Sequence, residues 1–86
     1  MKQEECLNKL MRQFFYGQQM SIKYVYGAIE GFKMAKKLLE MDSSVTPEII
    51  EEAQKRVTEF ETLEESSGFA DATVFLMDNI ESGIRI

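Results

Sequence analysis

Few residues in this chain could do covalent or metal chemistry, and each can be tested against what that chemistry needs. The sequence contains no histidine, so the usual general base and the commonest metal ligand are missing. A Ser/His/Asp or Cys/His nucleophile therefore cannot be assembled. Cys6 is the single cysteine, which rules out an internal disulfide and a cysteine-based zinc site. Glu4 and Glu5 precede it, and nearby carboxylates oppose thiolate formation. Asp42-Ser43-Ser44-Val45-Thr46 starts like a calcium loop, but the sixth position is Pro47 where a glycine is needed and the twelfth is Ala53 where a glutamate is needed. Gly27 and Gly31 lack the further glycine and the lysine of a phosphate-binding loop. The expectation is a protein that is not an enzyme, with no catalytic residues, no metal and no cofactor.

Two other residue sets could recognise a partner. Arg12, Lys23, Lys33, Lys36 and Lys37 are interleaved with Tyr16, Tyr24 and Tyr26. Aromatic rings with cations can stack on bases and meet phosphates. At helical spacing these charges spread around more than half of the circumference, so nucleic acid is an unlikely partner. Glu48, Glu51, Glu52 and Glu59 form an acidic patch on one helical face. Residues 1–40 carry seven Lys or Arg against four Asp or Glu, or +3, whereas residues 41–86 carry three against eleven, or −8. Either the halves pack against each other, or the acidic half steers a basic partner.

The elements that hold these residues read as helices. The chain has 86 residues, 44% hydrophobic and 29% charged, which suits one domain, residues 1–86. No tract alternates cleanly at period two. Leu7, Met11, Phe14, Ile22, Val25, Ile29, Phe32 and Leu39 fall on one stripe at about 100° per residue. That phase holds only if the helix passes through Gly17. The expectation is an all-α fold with one long N-terminal helix, about 3–41. The rival is a break around Gly17–Met20 with Ser21 capping a second helix.

Thr46 and Pro47 mark the next start, as cap and first helical residue. Val45 and Ile50 are spaced for a hydrophobic staple. Glu51–Lys55 and Glu52–Arg56 are i,i+4 pairs. Ser66-Ser67-Gly68 reads as the stop, giving a second helix of about 47–65. Thr73-Val74-Phe75-Leu76-Met77 has strand-like composition, but Phe69, Thr73, Leu76 and Ile80 keep a helical stripe. A third helix of about 69–82 is expected, with Gly83 as its left-handed terminator and Ile84 beside the cap. The two shorter helices pack back on the long one as a small bundle.

The long helix carries a second series: Tyr16, Met20, Tyr24, Gly27, Gly31, Met34 and Leu38. Glycines flanked by tyrosine and methionine describe a shallow groove that another backbone could enter, as at small-residue helix contacts. The expectation is a protein interface, most simply in a homodimer; the alternative is that the third helix folds onto this face. The function expected is a protein-binding module that occludes or bridges a partner, as an adaptor or inhibitor. One instance would be a mobile-element inhibitor covering the basic channel of host nucleic-acid machinery. The rival is a small nucleic-acid-binding regulator using the first helix. No apolar run approaches the roughly 20 residues of a membrane span, and the first ten residues do not read as a signal peptide. A cytoplasmic, soluble protein is expected.

Overall fold

A computed structural model describes residues 2–41, 46–56 and 60–83, apart from the side chains of residues 2–4, 39, 53 and 56. Those residues form four helices: α1 (Lys2–Phe15), α2 (Ile22–Glu40), α3 (Pro47–Arg56) and α4 (Leu63–Glu81). The fold is all-α, with helix packed on helix. No helix among the described residues is long and apolar enough to cross a membrane.

The unbroken rod is corrected. Residues 3–41 as one helix would be roughly 58 Å long, whereas the molecule measures 31 × 29 × 21 Å. The chain breaks at Gly17, which takes φ +68°, a left-handed conformation that glycine adopts without steric cost. Tyr16 N–H donates to the Gln13 carbonyl and Gln18 N–H to the Phe15 carbonyl, closing the turn. Ser21 Oγ then accepts the Tyr24 N–H at 3.2 Å, capping α2. The break lets α1 fold back, so that Leu7, Leu10 and Phe14 pack into the core with Phe32. A straight rod would leave both sides of that contact in water.

Two further boundaries differ from the sequence reading. Thr46 does cap α3, its Oγ1 accepting the Ile49 N–H at 3.2 Å. But α3 ends at Arg56, not near residue 65. Thr62 starts a new helix, its Oγ1 accepting the Glu65 N–H at 3.2 Å. Thr62-Leu63-Glu64-Glu65 is the sequence pattern of a capping box. Ser66, Ser67 and Gly68 therefore lie inside α4, and none of them ends a helix. The segment 73–77 is helical. Gly83 takes φ +107° after the Ser82 C-cap, its N–H donating to the Ile80 carbonyl. The Val45 staple, Arg56 pairing and Ile84 contact involve atoms outside the described residues; Glu51–Lys55 is seen at 4.0 Å between exposed side chains.

The centre of the bundle is the parallel pair α2 and α4, joined through α3. Ser21 lies beside Glu64, Tyr24 and Ala28 beside Gly68, and Gly31 beside Ala72, so both helices advance in the same direction. Around this pair, Leu7 and Leu10 of α1, Ala28, Phe32 and Ala35 of α2, Ile50 of α3, and Ala72 and Leu76 of α4 are buried. Phe14, Phe32 and Phe75 meet edge to face, with centroids 5.4–6.5 Å apart, the geometry that ring quadrupoles favour. Thr73 is fully buried but satisfied: its hydroxyl donates to the Ala70 carbonyl and accepts from Gln54 Nε2, each at 2.9 Å. Gln54 thereby ties α3 to α4.

Candidate interaction surface

The glycines of the expected groove are already occupied by the chain itself. Gly27 and Gly31 are buried under α4. A Cβ on Gly27 would lie 1.8 Å from the Glu65 carbonyl oxygen, and one on Gly68 would lie 2.0 Å from the Tyr24 carbonyl oxygen. Each helix thus presents a glycine to the other's backbone. A Cβ on Gly31 would meet the Ala72 methyl at 3.0 Å. The glycine series reads correctly as a place of close helix approach, but α4 is what approaches. The intermolecular reading of Gly27 and Gly31 is corrected accordingly.

The other members of that series scatter. Tyr16 lies in the turn after α1 and is 85% exposed. Met20 is half-buried before α2. Met34 and Leu38 are half-buried against the core. Tyr24 is half-buried and donates its hydroxyl proton to an Asp71 carboxylate oxygen on α4. Burial first, then the hydrogen bond to Asp71 and the negative charge of Asp71, push the Tyr24 phenol up to about 12 from 10.0. Ser21 Oγ donates to Glu64. Two carboxylates of the second half are therefore bound to hydroxyls of the first.

These bonds set a pH dependence. The raised phenol pKa means the folded state holds its proton more tightly than the unfolded chain, so the contribution is whole below pH 10 and lost as pH rises towards about 12. Urea midpoints should fall over that window. Tyr24→Phe should flatten the fall, and an equally steep loss in that variant would assign it to other groups.

What faces outward on α2 is different. Tyr26 is 60% exposed. With Glu30, Lys33, Met34 and Lys37 from α2, Phe60 from the segment before α4, and Glu65 and Phe69 from α4, it lines an open cleft of about 820 Å³. Phe60 packs against Phe69 in a tilted pair with centroids 5.2 Å apart, forming one wall. Lys33 pairs with Glu30 at 3.6 Å, both side chains being mostly exposed. Lys37 is exposed beside them. Tyr26, Lys33 and Lys37 belong to the basic and aromatic set that the sequence offers, whereas Phe60, expected on the inner face of the second helix, lies outside a helix; the capping pattern at Thr62 was the available signal, because it places Phe60 just before a helix start. Glu48, Glu51 and Glu52 are exposed on α3, as the acidic patch requires, and Glu59 lies outside the described residues.

The arrangement defines a small helical bundle with an aromatic, lysine-edged cleft and an acidic α3. No family model, curated protein or solved structure matches the chain.

Proposed function

We propose that this protein is a non-enzymatic helical module that binds another protein and acts by occluding or bridging it. The observation that carries this reading is the cleft lined by Tyr26, Met34, Phe60 and Phe69. Tyr26 is exposed, and Met34 and Phe60 are half-buried around the buried Phe69 ring; aromatic and methionine side chains are enriched in recognition surfaces, where aromatic anchors supply most of the affinity. The exposed Glu48, Glu51 and Glu52 face lies on a separate helix. It contributes orientation and association rate to a basic partner, falling with salt. An inhibitor that covers a basic channel belongs to this class.

The test places a photo-reactive benzoylphenylalanine at Tyr26 and, separately, at Glu52, in the native host. A discrete adduct from position 26 that Met34→Asp removes supports the cleft. Adducts from position 52 alone would move the contact to α3, and none from either would remove the protein-binding reading.

A second reading has its own support. Lys23, Tyr26, Lys33 and Lys37 all project from the outward side of α2, a tighter cluster than the full set of basic residues suggested. Such a face can hold a phosphate backbone. Binding to single- or double-stranded oligonucleotides, with affinity falling steeply between low and physiological salt, would favour this reading. No binding at low salt would end it.

A further inference from the structure

We propose that the turn at residues 16–21 is a hinge, and that a second copy of this chain exchanges α1 with the first to form a swapped dimer. The first observation is phase. Leu7, Met11 and Phe14 before the turn, and Ile22, Val25, Ile29 and Phe32 after it, keep one stripe if the helix runs straight through, although the folded chain bends there. A turn with no other role has no reason to preserve helical phase across six residues.

The second observation is Ile22. It sits in the middle of that stripe and is 70% exposed in the bent form. In a straight helix it would lie on the same line as the residues that two crossing copies bury together.

The third is how α1 is attached. α4 lies along α2 with backbones nearly touching, while α1 meets α2 and α4 more briefly. Where α1 is seated on α2, Leu7, Met11, Ile29 and Phe32 line an open pocket between the two helices, so the seat is incompletely filled. The seat is the same whether α1 comes from its own chain or from a second one, so exchange recovers the packing of α1, while the turn bonds at Tyr16 and Gln18 and the Ser21 cap are exchanged for helical bonds. The hinge sequence, Tyr16-Gly17-Gln18-Gln19-Met20-Ser21, contains no proline. Only Gly17 resists a straight helix, and it does so weakly. Exchange of one element between identical chains is a low-cost route to dimers. This pairing is independent of the Tyr26 cleft.

The test uses the full chain and light scattering after chromatography over a wide concentration range. Gly17→Ala penalises the left-handed turn and favours the straight helix, so the dimer association constant should rise by about a hundredfold. Gln19→Pro permits a turn but removes a helical bond and blocks the straight form, so the constant should fall by about a hundredfold. Circular dichroism confirms that each variant is folded. A second measurement separates exchange from simple side-by-side pairing and needs neither variant. Asn8 and Lys36 line the α1 seat from its two helices. With Cys6→Ser, the variants Asn8→Cys and Lys36→Cys are joined by a short bis-maleimide in the dimer fraction. Covalent dimers on a denaturing gel support exchange. Monomers bridged only within one chain overturn it, as does a wild type and a Gly17→Ala variant that both stay monomeric at the highest concentration.

Discussion

Gly68→Ala should unfold the protein or bring it close to unfolding. In an ordinary helix interior this change stabilises by about 1 kcal/mol, because alanine loses less chain entropy than glycine. Here the added carbon would lie 2.0 Å from the Tyr24 carbonyl oxygen and 2.9 Å from the Ala28 nitrogen. Both are backbone atoms, so no side chain can turn aside. α2 and α4 must separate, and that undoes the fit of Ala28, Gly31 and Ala72 along the same seam. Overpacking of this kind costs about 1–3 kcal/mol or more, and the loss of contacts along the seam adds to it. The net expected loss is about 3 kcal/mol. Urea unfolding followed by circular dichroism reads it directly. Gly31→Ala is the graded control: its nearest neighbour is the Ala72 methyl at 3.0 Å, so a smaller loss is expected. A Gly68→Ala protein as stable as the wild type would mean that α2 and α4 do not approach so closely. By the same geometry, leucine at both Gly27 and Gly31 would force α2 and α4 apart and destroy the fold.

Phe32→Ala has the second large effect. Phe32 is 3% exposed and meets Phe14 of α1, Phe15 of α1 and Phe75 of α4 with centroids 5.7, 6.2 and 6.5 Å away. Removing the ring loses its transfer free energy and leaves a cavity that three helices border, for about 3–5 kcal/mol in total. Domains of this kind have about 5–15 kcal/mol to lose, with small ones at the low end. Most of the stability therefore goes, and α1 loses the ring it closes over. Phe60→Ala is the comparison. Phe60 is half-buried and its ring lies tilted against Phe69, a contact worth about 0.5–1.5 kcal/mol beyond burial. If the two variants melted together, the three-helix aromatic cluster would not be the centre of the core.

The parts of the fold that local chemistry governs were readable from the residues. Thr46 before Pro47 is a cap because a hydroxyl there meets an orphan N–H, and Gly83 is a terminator because a left-handed residue ends a helix at little cost. Apolar spacing excluded strands throughout the described segments. Thr62 was equally local, but the serines and glycine that follow drew the boundary to the wrong place. A glycine within a helical pattern is ambiguous on its own. Gly17 ends a helix, Gly27, Gly31 and Gly68 let two helices touch, and no neighbouring residue distinguishes those uses.

By itself, then, the amino-acid order determined the all-α class, the Thr46 cap and the Gly83 terminator, the apolar stripes and the absence of histidine-based chemistry, since each depends on groups a few residues apart. Only the tertiary structure decided that the first stripe bends at Gly17, that α4 fills the glycine face, and that Tyr26 and Phe60 are left lining an open cleft. Those outcomes depend on which surface wins the competition to cover which stripe. That competition is settled between residues some 40 positions apart, such as Gly27 and Glu65 or Tyr24 and Gly68, by close packing that no local spacing records.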